Sequence, residues 1–285
     1  MARAMRLSSD YRRYKEGDWS LWVCRERWTA ELWPVVLALI ERQPTSRHPQ
    51  TLQVTEAVVG DPLFLKVFHP ASAIGAFKDI FRKSKGLRSL QQTAALAQSN
   101  FNVPIPVAAG EQRQCRLLRK AFVLTLAVQG QSLPMFLKRY GAGVDSAKKR
   151  RGLQRLALEV RRLHQLGFVH GDLVPTNIFV SRISGENERF FFMDNDRTRH
   201  YPSWIPQGLW RRNLVQLNRF PLPGITLQDR VRFLSYYLGS KLWGKKERRL
   251  LVWLERKTRQ RRKDCDAVDA NQSFRRLMRW PGELI

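Results

Sequence analysis

The sequence predicts an α+β chain of two lobes, a β-rich N-terminal lobe and a mainly helical C-terminal lobe. Three observations carry this. Short apolar runs of strand length fill residues 51–68 and 122–128. Longer segments after Leu133 place apolar residues three and four apart, the spacing of a helix face. Between the helical segments lies a polar loop, His170-Gly171-Asp172-Leu173-Val174-Pro175-Thr176-Asn177, followed by a short hairpin that ends at Met193-Asp194-Asn195-Asp196. The expected boundaries are an N-terminal extension over residues 1–45, the strand-rich lobe over 46–130, and the helical lobe over 131–285 with basic C-terminal helices.

Taken in order, Trp19, Leu21 and Val23 alternate with Ser20, Trp22 and Cys24, which predicts an early strand. Residues 31–41 read as a helix, with Pro34 tolerated in its first turn. Residues 51–59 and Leu63–Phe68 read as strands joined by a turn at Gly60-Asp61-Pro62. In the second of these, Leu63, Leu65 and Val67 face one way, and Phe64, Lys66 and Phe68 the other. A lysine among apolar neighbours needs an anionic partner or an edge from which to reach water. Leu87, Leu90, Ala94 and Ala97 mark a helix, residues 103–107 an extended connector, and residues 122–128 a strand closing the first lobe. Residues 133–140 open the helical lobe. Asp145 or Ser146 caps a long helix whose stripe is Leu153, Leu156, Val160 and Leu163, and Gly167 suits the position past its end. Residues 178–180 and 189–193 form a hairpin about Ser184-Gly185-Glu186-Asn187, which returns Asp194 towards Asn177. Leu227–Leu238 and residues 248–263 are helices, the second basic and amphipathic.

The loop and hairpin carry the chemistry. A carboxylate, Asp172, precedes Asn177 by five positions, and a second carboxylate, Asp194, follows the hairpin. Phosphoryl transfer from ATP uses this set: one Asp takes or orients the proton of the accepting hydroxyl, while an Asn and another Asp hold magnesium ions that bridge the phosphates. Lys66 then has its anionic partner in the ATP phosphates. His170 is expected to support the loop, and Asp196 is either a second acidic site residue or the partner of Arg197. A basic, aromatic stretch follows, with Arg197, Arg199, His200, Tyr201, Trp204, Trp210, Arg211 and Arg212. Arg197 and Arg199 are candidate acceptor contacts, because guanidinium groups bind carboxylate and phosphate bidentately. Two features depart from the protein-kinase pattern. No acidic residue occurs over 80–110, and Gln91 stands where a helix Glu would pair with Lys66. No Gly-x-Gly-x-x-Gly precedes Lys66, so a phosphate-covering loop would come from residues 44–50, using Ser46 and Arg47.

Composition adds an anionic partner. Lys and Arg number 51 against 24 Asp and Glu, a net charge of +27, which suits a membrane surface, a polyanionic substrate or nucleic acid. Cys24, Cys115 and Cys265 have neither metal-binding spacing nor a disulfide framework, as expected in a reducing compartment. Residues 1–13 are polar and basic, and the apolar run 32–40 contains Pro34 and is too short to span a bilayer. A cytoplasmic protein is expected.

The chain resembles the lipopolysaccharide core kinase family, which phosphorylates 3-deoxy-D-manno-octulosonic acid (Kdo) and heptose residues on lipid A. The resemblance runs roughly from Leu63 to Leu238. It rests on Lys66 in Phe-Leu-Lys-Val-Phe, on Phe101-Asn102-Val103-Pro104-Ile105-Pro106, and on the His170-Gly171-Asp172 loop with Asn177. It rests further on Met193-Asp194-Asn195-Asp196-Arg197, with Asn195 in a usually apolar slot, on Arg211 to Arg219, and on Asp229 to Leu234. It implies a protein-kinase-like two-lobed fold, ATP and Mg2+, an anionic glycolipid acceptor, and peripheral attachment to the inner membrane. Two alternatives compete: an atypical protein kinase or RNA-associated ATPase with a His-Gly-Asp loop, and a non-catalytic binding module on a degenerate kinase fold.

Overall fold

A computed structural model describes residues 9–44, 50–54, 62–70, 82–141, 146–181, 188–202, 208–222, 224–239 and 243–268. The chain divides into two compact units. The first joins Arg3–Gln129 to the later segment Phe191–Thr198; the second comprises Gly130–Phe190 and the residues from Arg199 onward.

The first unit holds β1 (Tyr11–Glu16), β2 (Trp19–Cys24), α1 (Leu32–Glu41), β3 (Gln50–Val54), β4 (Leu63–Phe68), α2 (Lys85–Gln98), β5 (Pro106–Gln114) and β6 (Leu117–Leu126). Its strands form one antiparallel sheet in the order β1-β2-β5-β6-β4-β3. The stretch set apart as an N-terminal extension thus contributes β1, β2 and α1 to this unit. Alternation in the strands splits the core into two layers. Trp19, Leu21, Val23, Leu63, Leu65 and Val67 pack with Leu32, Trp33, Val36 and Ile40 of α1. On the other face Phe68, Ala109, Ala121 and Val123 pack with Leu87 and Leu90 of α2. Each fully buried Leu or Ile contributes about 2 kcal/mol of transfer free energy. The Trp19 and Trp33 rings meet edge-on with centroids 5.7 Å apart.

In the β5–β6 hairpin, β5 is a strand that was not expected and starts within the expected connector, while β6 begins at Leu117, ahead of the expected start at residue 122. The hairpin turns at Cys115 and Arg116, both at positive φ (48° and 66°), as a two-residue turn between twisted strands requires. The start of α2 is held closely. Ser84 Oγ accepts the Leu87 N–H, and the Ser84 N–H donates to the buried carboxylate of Glu111. Arg113 in turn donates to both oxygens of Glu111.

The second unit holds β7 (Gln131–Ser132), α3 (Leu133–Gly141), α4 (Ser146–Gln165), β8 (Phe168–Val169), β9 (Ile178–Ser181), β10 (Arg189–Phe192, whose last residues belong to the first unit), β11 (Arg199–His200), α5 (Gly208–Leu217), α6 (Leu227–Leu238) and α7 (Lys245–Val268). The α4 stripe is buried as its spacing predicts, with Leu156, Val160 and Leu163 at 2% exposure or less. Gly167 ends the helix at φ +82°, where a Cβ would meet the Tyr201 carbonyl, and its own carbonyl accepts the Tyr201 N–H at 2.7 Å. Thr226 and Asp229 form a reciprocal capping box at the start of α6, and Lys149 of α4 donates to Asp229 at 2.8 Å. The expected helix 248–263 is the middle of the longer α7, which docks through buried Leu254 and Thr258. Among the described residues no helix is long and apolar enough to cross a membrane.

Candidate active site

The expected site residues fall into two clusters, one in each unit. In the first unit Lys66 projects from β4 on the face it shares with Phe68, its Nζ 5.5 Å from the centre of the Phe68 ring. Its partner is Asp194: Nζ donates to Oδ1 at 2.5 Å. Asp194 is in the left-handed region (φ 56°, ψ 56°), a conformation costing a non-glycine residue about 1 kcal/mol or more. The turn that imposes it is built by Asn195. This side chain is buried, its Nδ2 donates to the Phe192 carbonyl at 2.9 Å, and its Oδ1 accepts from Thr198 Oγ1. The Phe192 N–H is bonded to the Asn102 carbonyl at 3.0 Å, which ties the segment to the first unit. A polar residue in the usually apolar slot therefore does a turn-forming task.

Asp196 sits on the same turn, half-buried. Burial first, and then the charge of Asp194, push its carboxyl up; Lys66, Arg197 and Arg88 oppose this without cancelling it. Arg88 comes from α2, which packs on this turn. The helix that carries a glutamate in protein kinases here presents a cation to the aspartate segment. Gln91, in the position expected for that glutamate, accepts from Lys83 at 3.0 Å. Residues 45–49 of the expected phosphate-covering loop, the 184–187 turn, Trp204, and Asp79 and Glu56, the acidic residues nearest in sequence that could replace the helix Glu, lie outside the described residues.

In the second unit the loop from His170 to Asn177 is fastened from inside and from α5. His170 is 1% exposed, and its Nδ1 accepts the Asp172 N–H at 3.1 Å. Asn177 Nδ2 donates to the Asp172 carbonyl at 3.0 Å, so Oδ1 is the end of that amide suited to a cation. From α5, Asn213 accepts the His170 N–H at 3.0 Å and donates to the His170 carbonyl at 2.6 Å. Gln216, one turn on, reaches Gly171, Asp172 and Leu173. Behind Asn213 lies His164 of α4, 3% exposed. Its Nε2 meets Asn213 Oδ1 at 3.1 Å and its Nδ1 meets the Tyr237 hydroxyl at 2.8 Å. The amide oxygen can only accept, so Nε2 carries the proton and Nδ1 accepts from Tyr237. Burial pushes His164 down to about 4 and Tyr237 up to about 12.

Arg197 belongs to the first cluster, whereas Arg199 lies in β11 of the second unit, opposite Val169 of β8. The sequence reading gave no individual roles to His164, Asn213, Gln216 and Tyr237; spacing alone marks Asn213 and Gln216 only as one helix face. No three His, Cys, Asp or Glu side chains group to hold a metal among the described residues. Magnesium in phosphoryl-transfer sites keeps waters and takes one or two carboxylates plus substrate phosphates; a carboxylate such as that of Asp194 is of that donor type, and so is an amide oxygen such as that of Asn177.

Comparisons with known proteins bear on the family and the fold. A family model described as "Lipopolysaccharide kinase (Kdo/WaaP) family" matches residues 77–237, more than half of the chain. Among solved structures the chain is similar to "WaaP in complex with acyl carrier protein", with a TM-score of 0.57, 20% identity, and coverage of 81% of this chain and 95% of that one. At this identity the likeness shows the fold, with a strand-rich N-terminal part and a helical C-terminal part. No curated protein sequence matches. The chain, a phosphotransferase, belongs to the Kdo/WaaP lipopolysaccharide kinase family.

Proposed function

We propose that the protein transfers the γ-phosphate of ATP to a hydroxyl of a Kdo or heptose residue in the lipopolysaccharide inner core, at the cytoplasmic face of the inner membrane. The observation that carries this is the fastened loop: Asp172 and Asn177 are held by His170, Asn213 and Gln216 at the spacing phosphoryl transfer uses. Asp172 takes or orients the proton of the sugar hydroxyl. Lys66 holds the ATP phosphates. Asn177 and Asp194 would hold magnesium, which when bound neutralises charge on the phosphate oxygens. Arg197 and Arg199 are candidate contacts to the acceptor's carboxylates and phosphates.

The test is transfer of labelled γ-phosphate to purified lipid A bearing inner-core sugars. Asp172→Ala is expected to lower turnover by about 1,000-fold or more while ATP affinity and melting temperature stay close to wild type. Comparable turnover by that variant sinks the assignment. ATP binding without glycolipid labelling would point instead to RNA or protein as the target.

A second partner belongs to this reading. The second unit contains a half-open apolar pocket of about 110 Å³ lined by residues including Leu137, Leu156, Leu214, Phe233, Leu234 and Leu254. The WaaP structure contains acyl carrier protein, and an acyl chain is the chemistry such a pocket takes. Acylated carrier protein is expected to raise the melting temperature; equal effects of the acylated and unacylated forms would remove this proposal.

A further inference from the structure

The Gln216 side chain bonds to the loop at three successive residues. Its Oε1 accepts the Leu173 N–H at 3.3 Å; its Nε2 donates to the Gly171 carbonyl at 3.2 Å and to Asp172 Oδ1 at 3.3 Å. The direction of the amide is set by chemistry. A backbone N–H only donates and a carbonyl only accepts, so Leu173 claims the oxygen of Gln216 and Gly171 the nitrogen. Asn213 confirms the sense of the network, because its Nδ2 also donates to Gln216 Oε1 at 2.9 Å. Two bonds accepted and two donated use the full capacity of the Gln216 amide. One of its N–H groups is thereby committed to Asp172 Oδ1.

We propose that Gln216 is a positioning residue for phosphoryl transfer, holding Asp172 through Oδ1 so that Oδ2 is presented to the acceptor hydroxyl. The inference rests on the reading of Asp172 given above. In the step it serves, the hydroxyl oxygen bonds to the γ-phosphorus, the bond from that phosphorus to the ADP oxygen breaks, and the hydroxyl proton passes to Oδ2. A carboxylate free to rotate about its side-chain bonds would spend part of its time misaligned, and misalignment lowers turnover more than substrate affinity.

Two substitutions separate positioning from support of the loop. Gln216→Glu keeps the length of the side chain and an acceptor for Leu173 and Asn213, but removes the donor and sets a carboxylate against Asp172. Gln216→Met removes donor and acceptor alike without adding charge. If Gln216 only braces the backbone, Glu is the milder change. If it positions Asp172, Glu is at least as severe as Met. Turnover on inner-core lipopolysaccharide is expected to fall about 10-fold for Met and about 30-fold or more for Glu, with the Kd for ATP within about threefold of wild type. Turnover of both variants within about threefold of wild type, or Glu closer to wild type than Met, overturns the proposal. So does loss of the folded state in both, because the amide would then be a folding element. The functional reading fails separately: wild-type protein that labels no glycolipid, or Asp172→Ala that matches it, removes the role of Asp172 itself.

Discussion

His164 shows how much a single buried side chain can set. It is neutral in the fold, held down to about 4 by burial, whereas in the unfolded chain it titrates near 6.5. Above 6.5 both states are neutral there and its environment costs nothing. As pH falls from 6.5 towards 4 the unfolded chain takes up a proton that the folded one refuses, so stability declines across that window. Between about pH 7.5 and about pH 5 the loss attributable to His164 is about 2 kcal/mol. Urea unfolding of wild type and His164→Gln at both pH values checks it: the variant is expected to lose that part of the decline, and identical pH dependence in the two proteins would refute it. At the same scale the sequence was legible where a motif reports on chemistry. Asp172, Asn177, Asp194 and Lys66 stood out because polar groups in those patterns have few other uses. Asn213 and Gln216 did not, because polar residues three apart on a helix read as a solvent-facing stripe until the loop is seen against them.

Among the elements, α2 is the one whose placement depends on the least material. A Cβ on Gly86 would collide with the Phe122 carbonyl of β6, a backbone atom that cannot move aside. Gly152 in α4 contrasts with it, since a Cβ there meets nothing within 4 Å. Gly86→Ala is expected to destabilise the protein by about 2 kcal/mol through overpacking. Gly152→Ala is expected to stabilise it by about 0.5–1 kcal/mol through helix propensity. Urea midpoints for the two variants decide, and a shift in the same direction for both would contradict the packing argument. The helices α4 and α6 were read nearly to the residue, α6 at Leu227–Leu238, whereas α7 was read short at both ends. Strand β5 was not read at all, because Pro106 to Glu111 is buried throughout. A strand covered on both faces has no alternation to betray it, and Ala108, Ala109 and Gly110 lack the β-branched signature.

For the molecule as a whole, charge is the governing quantity. With +27 overall, the outer side of α7 exposes Lys245, Lys246, Arg248, Arg249, Arg256, Arg259, Arg261 and Lys263, while Leu254 and Thr258 face inward. We expect sedimentation with anionic vesicles but not with neutral ones, and release as salt rises from about 0.1 M to about 0.5 M, where screening shortens the reach of each charge to about 4 Å. Equal binding to both vesicle types would refute an electrostatic attachment. The two units meet in the sequence at Gln129/Gly130, and residues 191–198 return to the first unit. That return has a consequence for the order of events on the ribosome. The first unit is not a continuous stretch of polypeptide: Asp194, Asn195 and Phe192 are made only after the whole of Gly130–Phe190. When Gln129 emerges, Lys66 lacks its carboxylate, the Asn102 carbonyl lacks its donor, and α2 lacks the turn it covers. The early-made part of the chain is therefore completed late, and no uninterrupted fragment ending at Gln129 contains its own full set of contacts.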